Sequence, residues 1–258
     1  MNLPKSAVQN KNPIFSRDLI SLKSIATWFG LFILRIISLL PYKMLMVIGS
    51  ILGRLLYRIS PHRRQICKIN IERCLGLQNE QLDSLVKLNF EATGRGVFET
   101  ALAWWSSDNK ISNLKTNVTN GDILKNTNEG VLVLIKHSTH LELDLRLLAN
   151  FFDLTGMFKT QTNQVINYVM IKARNNYIKG SLTNKEALRA LRWIRNGENF
   201  VYAADQDYGS KVSASIPFFS HPAATVTFPA LLSKKGTQVI MADVCLLYTS
   251  DAADEVDR

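Results

Sequence analysis

The chain has 258 residues and a formal net charge of +10 at pH 7, and 47% of its residues are hydrophobic, an ordinary fraction for a globular protein. This length allows one substantial domain and an additional anchoring segment. The mean hydropathy of +0.01 is high for so basic a chain. This value excludes an even mixture of residue types and indicates strongly apolar segments beside strongly basic ones. The positive net charge indicates an anionic partner.

The first apolar segment runs from Ile25 to Leu40, after a polar and irregular stretch over residues 1–18, and contains Arg35 as its sole charge. A bilayer core requires about 20 apolar residues, and a mid-membrane arginine is costly. We expect a single spanning or deeply embedded anchor here; the alternative is an apolar core helix. A second apolar stretch, Met44 to Leu56, follows Pro41. The absence of a small-residue cleavage site argues against a removed signal peptide.

A basic cluster follows the apolar segments and comprises Arg54, Arg58, His62, Arg63, Arg64, Lys68 and Arg73. Basic residues beside an apolar segment are typical of the cytoplasmic, anionic face of a bilayer. A solvated helix face is the alternative. We do not expect nucleic acid as a partner, because no nucleic-acid motif accompanies the cluster.

The remaining patterns alternate between helices and strands. Helices are predicted over residues 80–107, 141–152 and 184–196, and buried strands over 130–135, 200–204 and 239–244. This alternation predicts an α/β fold in which helices flank a central, mostly parallel or mixed sheet.

The last fourteen residues, Cys245 to Arg258, read like a translated sequencing adapter and interrupt a predicted strand without a turn signal. We exclude them from fold reasoning, although a genuine acidic tail is the alternative. They carry four acids and one arginine, so the remaining chain carries +13 and is expected to be truncated. The other cysteines, Cys67 and Cys74, are expected to be packed, reduced thiols.

The segment from Lys136 to Asp144 carries the candidate chemistry, because it follows a strand and opens a helix. Glu142 could fold back onto one ring nitrogen of His137 and leave the other nitrogen free to take a proton from a hydroxyl. Alternatives remain open. Thr139 and Glu142 form a capping-box pattern, and His140 with Asp144 is a competing pair at i and i+4.

Several motifs occur in one order and spacing. They are His137 to Leu143, which fits H-x-x-x-x-D/E followed by Leu; Asn196-Gly197-Glu198; Asp205-Gln206-Asp207-Tyr208-Gly209; Pro217-Phe218-Phe219; and Pro222-Ala223-Ala224-Thr225. With Gly53 to Arg58 and Asn70-Ile71 upstream, they resemble the lipid A biosynthesis lauroyl and myristoyl acyltransferases of the lysophospholipid acyltransferase superfamily. The resemblance covers roughly residues 25–244.

The resemblance implies His137 and Glu142 as catalytic residues, with His137 as general base. It implies substrate-binding roles for Arg174, Asn163, Lys159, Asp205 and Asp207. Lys159 stands where the family usually has an arginine–proline pair, so it keeps the charge without the bidentate fork. Asp205 and Asp207 are expected to shape the floor of the site. The segment Pro217 to Phe219 is expected either to line a groove for an acyl chain or to belong to the ordinary core. No metal or other cofactor is implied.

The resemblance also implies an overall function. A fatty acyl group would pass from acyl carrier protein to a hydroxyl of a lipid A precursor, a phosphorylated glycolipid, at the cytoplasmic side of the bacterial inner membrane. The expected division is an anchor and basic juxtamembrane helix over 1–58, an acyltransferase domain over 59–244 and an artefact over 245–258. Two alternatives remain. One is an acyltransferase that acts on another glycolipid or on a lysophospholipid, and the other is a non-catalytic, basic membrane-binding protein.

Overall fold

The computed structural model describes residues 12–114, 116–125, 130–183, 186–209 and 211–245. A short 3-10 helix, Arg17–Ile20, precedes the first α-helix. The helices are α1 Leu22–Ile37, α2 Tyr42–Ile59, α3 Pro61–Leu75, α4 Asn79–Trp105, α5 Asp108–Ser112, α6 Asp122–Lys125, α7 Leu141–Ala149, α8 Gln164–Arg174, α9 Ala187–Arg195 and α10 Phe228–Ser233. The strands are β1 Val131–Ile135, β2 Leu154–Phe158, β3 Gly180–Thr183, β4 Asn199–Ala203, β5 Ser213–Phe218, β6 His221–Val226 and β7 Gln238–Met241.

Five strands form one sheet in the order β3-β2-β4-β1-β7, and every neighbouring pair is parallel. The strands β5 and β6 form a separate antiparallel hairpin. The central strands β1 and β4 are apolar on both sides, as expected where helices cover both faces. Val133 and Val201 pack with Leu145 on the α7 face, whereas Phe200 packs with Trp193 of α9 on the other face. The predicted α/β fold with a mostly parallel sheet is confirmed.

The long helix α4 packs against α2 through glycines. A Cβ at Gly94 of α4 would lie 2.1 Å from the carbonyl oxygen of Gly49, and one at Gly53 would lie 2.3 Å from that of Phe90. Such distances are far inside van der Waals contact, so these positions must be glycine for the helix backbones to meet. This contact crosses the predicted boundary at residues 58/59, and the predicted division into domains stays a prediction.

The N-terminal helix α1 has 16 residues and, although the structure describes all of them, none is buried. Among the described residues, no helix is long and apolar enough to cross a bilayer alone. The helices α2 and α3, which are bent by 99° at their junction, meet that requirement together by length and composition. The single-span anchor predicted over Ile25 to Leu40 is thus not confirmed.

The basic cluster lies on the last turns of α2 and on α3. Part of its charge is paired within the chain, since Arg54 lies 3.2 Å from Glu91 and Lys68 lies 3.0 Å from Asp83. Cys67 and Cys74 of α3 are half-buried free thiols. The predicted adapter segment lies, except for Cys245, outside the described residues.

Candidate active site

His137 and Asp205 follow the carboxyl ends of two neighbouring strands. Ile135 and Ala203 are register partners in β1 and β4, and His137 and Asp205 each lie two residues beyond that pair. Nδ1 of His137 lies 2.5 Å from Oδ1 of Asp205, and the main-chain N–H of His137 donates to Oδ2 over 2.8 Å. One carboxylate therefore holds both the backbone and the ring of His137.

This geometry corrects the predicted hydrogen bond between His137 and Glu142, because Asp205 is the carboxylate that occupies Nδ1 of His137. Partial burial alone would raise the pKa of Asp205, but the hydrogen bonds from the ring and main chain of His137 outweigh it and hold that pKa below its usual range. An ionised Asp205 favours the tautomer in which Nδ1 carries the proton. Nε2 of His137 is then the nitrogen that can accept one.

Glu142, in the first turn of α7, points instead to Arg174 at the end of α8. Nη2 of Arg174 donates to Oε1 of Glu142, and Nε donates to Oε2 over 3.2 Å. Oε2 also accepts hydrogen bonds from Nε1 of Trp104 at 2.9 Å and from the hydroxyl of Tyr177 at 3.3 Å. The alternative, a capping box of Thr139 and Glu142, is not formed either, since His140 is the N-cap residue of α7 and makes no side-chain capping bond.

The Glu142–Arg174 pair is buried, and each group keeps the other charged. Burial alone would raise the pKa of Glu142, but the attraction of Arg174 and the hydrogen bonds from Arg174, Trp104 and Tyr177 lower it overall. Burial alone would lower the pKa of Arg174, but Glu142 raises it overall. Burial, followed by the charge of Glu142, raises the pKa of Tyr177, so this phenol stays protonated. The result is an ion pair with fixed orientation.

These shifts predict how stability depends on pH. The pKa values of Glu142 and Asp205 are lower in the folded protein than the reference values of about 4.3 and 3.9 for unfolded chains. Their stabilisation is therefore complete above about pH 4.3 and is lost as the pH falls through the folded values. We expect the urea concentration at the midpoint of unfolding to be independent of pH near neutrality and to decrease below about pH 4. In a double variant with Glu142→Gln and Arg174→Met, the urea midpoint should fall less steeply as the pH is lowered. An unchanged dependence on pH would contradict the lowered pKa of Glu142.

A second imidazole–carboxylate pair lies beside the first. Nδ1 of His140 lies 2.5 Å from Oδ1 of Asp144, and the hydroxyl of Ser138 donates to Oδ2 of Asp144 over 2.6 Å. Burial alone would lower the pKa of His140, but Asp144 raises it overall. This pair lies outside the lining of the cavity described next, so His137 is the better placed of the two histidines.

A cavity of about 590 Å³ opens at the carboxyl edge of the sheet. Its polar lining includes His137, Glu142, Arg174 and Lys159, and its buried apolar lining includes Leu145, Met170, Ile178 and Val201. The volume lies within the usual range for small-molecule pockets. The arrangement can accept a proton from a bound hydroxyl at one end and can accommodate an apolar chain at the other.

Two other predicted site residues make contacts that shape the backbone. The side-chain oxygen of Asn163 caps α8 by accepting from the main-chain N–H groups of Val165 and Ile166, at 3.0 and 3.2 Å. Asp207 accepts from the main-chain N–H of Gly209 over 2.7 Å. Their predicted roles in substrate binding stay predictions.

The predicted apolar motif at Pro217 to Phe219 lies in the β5–β6 hairpin. Phe218 and Phe219 are 60% and 52% exposed and do not contribute to the lining of the cavity. The apolar lining of the cavity instead includes residues of β2, β4, α7 and α8. The turn at Phe219 and Ser220 has positive φ at both positions, as a type I′ hairpin turn requires.

Sequence reasoning missed Trp104 and Tyr177, which both donate to Glu142. Trp104 lies near the end of the helix predicted over residues 80–107, and nothing in that pattern marks it as a site residue. α4 also touches the loop that carries His137: a Cβ at Gly96 would lie 2.2 Å from the carbonyl oxygen of Thr139. Contacts of this kind join residues far apart in the chain, and no local pattern reveals them.

Comparison with known proteins identifies the family. The sequence pattern of the bacterial lipid A biosynthesis acyltransferases matches residues 12–253. The chain is 29% identical over 240 residues to the lipid A biosynthesis lauroyltransferase of Escherichia coli K12, with coverage of 91% of this chain and 76% of that protein. It is 27% identical to the lipid A biosynthesis palmitoleoyltransferase of the same organism, with coverage of 92% and 78%. For the lipid A biosynthesis acyltransferase of Haemophilus influenzae Rd the identity is 26%, with coverage of 89% and 76%. Because the family pattern spans nearly the whole chain, this protein belongs to the bacterial lipid A biosynthesis acyltransferases.

Proposed function

We propose that the protein transfers a fatty acyl group from an acyl-carrier-protein thioester to a hydroxyl of a lipid A precursor. The observation that carries this proposal is the His137–Asp205 pair at one end of a largely apolar cavity. An imidazole with one nitrogen fixed by a carboxylate is suited to accept a proton from a hydroxyl at its other nitrogen. The names of the relatives support a lipid A precursor as the acceptor.

In the proposed reaction, Nε2 of His137 takes the proton of the acceptor hydroxyl while the oxygen of that hydroxyl attacks the thioester carbonyl. The carbonyl becomes a tetrahedral oxyanion, and the buried guanidinium of Arg174 is the proposed donor that stabilises it. The intermediate then expels the thiolate, which receives the proton from the imidazolium. An ester forms, a thioester breaks, and His137 returns to its starting state.

Glu142 acts in this proposal by holding Arg174. Two hydrogen bonds from Arg174 to the Glu142 carboxylate set the orientation of the guanidinium, and Trp104 and Tyr177 hold the carboxylate in turn. The exposed Lys159 lines the cavity and is the proposed partner for a phosphate of the acceptor. Asn163 and Asp207 support the site through the loops that they order.

The proposed location is the cytoplasmic surface of the bacterial inner membrane. Ile25, Phe29, Phe32 and Ile36 are exposed on α1 at helical spacing, and the basic cluster follows on α2 and α3. Apolar residues followed by basic ones suit an anionic lipid surface. The same positive charge suits an anionic carrier protein.

The test is transfer of a labelled acyl group from acyl carrier protein by the purified protein in mixed micelles. Three acceptors are compared: a phosphorylated glucosamine lipid A precursor, a lysophospholipid and a glycolipid without phosphate. We expect ester formation on the lipid A precursor to exceed that on the others by at least about tenfold, because buried polar groups discriminate against an acceptor that leaves them unpaired. Preferential transfer to lysophospholipid would contradict the proposal that a lipid A precursor is the acceptor. Binding to anionic vesicles without any transfer would contradict catalysis.

A further inference from the structure

Gly156 is a gap in the row of side chains that faces α7 and α8. Ser181, Gly156, Val201 and Val133 are register partners across β3, β2, β4 and β1. Val133 and Val201 pack into the core on this face of the sheet. A glycine in the interior of a central strand weakens the strand and often marks a place where a ligand approaches closely.

The cavity that begins at His137 reaches this gap. Gly156 lines it together with Val201 and with Met170 of α8, and all three residues are buried. Gly156 lies two residues before the end of β2, so the gap lies about 7 Å below the carboxyl edge of the sheet at which the catalytic pair sits. The buried part of the cavity at Gly156 therefore lies between the sheet and α8.

There is room for a side chain at this position. A Cβ on Gly156 would meet the carbonyl oxygen of Val201 at 3.5 Å and its Cβ at 4.0 Å, both ordinary contacts. By comparison, a Cβ on Gly130 would lie 2.3 Å from two carbonyl oxygens. Gly156 thus differs from the close-packed glycines: backbone contact does not require it, and the space beside it is open.

We propose that Gly156 determines acyl-chain selectivity by leaving open the buried end of the cavity, where the distal carbons of the donor acyl chain lie. This inference rests on the proposed function. If the thioester carbonyl lies between His137 and Arg174, the carbon chain bonded to that carbonyl must start at the same place. The apolar part of the same cavity, which extends to Gly156 and Met170, is the space proposed for this chain. A larger side chain at position 156 would shorten this space.

The experiment offers the enzyme an equimolar mixture of saturated acyl-carrier-protein thioesters that differ by two carbons each, and mass spectrometry measures the chains transferred. We expect Gly156→Val to shift the preferred chain to a shorter one and to change the ratio of long to short products by at least about tenfold. Gly156→Ala should give a smaller shift in the same direction. Met170→Ala, which enlarges the same part of the cavity, should favour longer chains.

Thr155→Val is the matched control, since Thr155 is the neighbouring buried residue of β2 and its side chain lies on the other face of the strand. It should leave the product distribution unchanged. If wild-type protein transfers acyl groups and the Gly156 and Met170 variants keep its distribution, the inference is overturned while the proposed function stands. If wild-type protein transfers nothing from any thioester, the proposed function itself fails. Should Gly156→Val not fold, the alanine variants still decide the outcome.

Discussion

The variant His137→Ala is expected to lower kcat by about 10²–10⁴-fold, with folding intact, because it removes the group that is proposed to accept the proton of the attacking hydroxyl. His137 is partly exposed and belongs to a loop, so its truncation leaves no buried cavity. Circular dichroism and the urea midpoint should match the wild-type values. The rate is measured as single-turnover transfer from acyl carrier protein, which separates chemistry from product release.

Asp205→Asn extends this prediction. The carboxylate fixes the imidazole, so its loss should reduce kcat while KM for both substrates stays near the wild-type value. Combined with His137→Ala it should cause no further loss, because residues that act as a unit are not additive. Additive losses would show that Asp205 acts independently of His137, for example by binding substrate.

His140→Ala is the matched control, because His140 makes a similar bond to Asp144 outside the lining of the cavity. Its effect on kcat should be small, although loss of a partly buried contact will lower stability somewhat. A large kcat effect at His140 with little effect at His137 would reverse the assignment of the general base.

The second large effect is on stability. Glu142→Ala is expected to cost about 3–5 kcal/mol, because it leaves the Arg174 guanidinium buried without a counter-charge. The side chains of Arg174 and Glu142 are only 11% and 13% exposed, so water compensates poorly for the lost partner. Chemical denaturation gives the measurement. Loss of activity in this variant therefore reports on folding first and on catalysis second.

The double variant Glu142→Leu with Arg174→Met should recover much of that stability and still be inactive, since it restores an uncharged, packed site without restoring the proposed oxyanion donor. Asp83→Ala breaks the exposed pair with Lys68 and should cost less than about 1 kcal/mol. An equally small effect for Glu142→Ala would mean that the pair with Arg174 is solvated. An active double variant would contradict the role proposed for Arg174.

Much of the fold was predictable because buried central strands have continuous apolar sequences. β1 and β4 were predicted within one residue of their observed ends. β2 and β3 were missed because Thr155, Gly156, Gly180 and Ser181 interrupt any apolar run. The interruption is itself explained by the structure, since two of these small residues line the cavity.

The candidate site residues could be named from the sequence, but their pairings could not. His137, Glu142, Arg174 and Asp205 stay predicted site residues, and spacing along the chain favoured Glu142, not Asp205, as the partner of His137. Asp205 becomes visible only when β1 and β4 are known to be neighbours in register. Strand order depends on the packing of the whole domain, and local sequence does not contain it.

The two glycine contacts of α4 have a geometric consequence. Gly94 faces α2 and Gly96, two residues further on, faces the loop that carries His137. The backbone of a single helix, with an overall diameter of about 10 Å, thus separates α2 from the loop that carries His137. If α1 and α2 rest on the membrane surface as proposed, the acceptor lipid need lift its hydroxyl by only about that distance to reach His137, without leaving its leaflet.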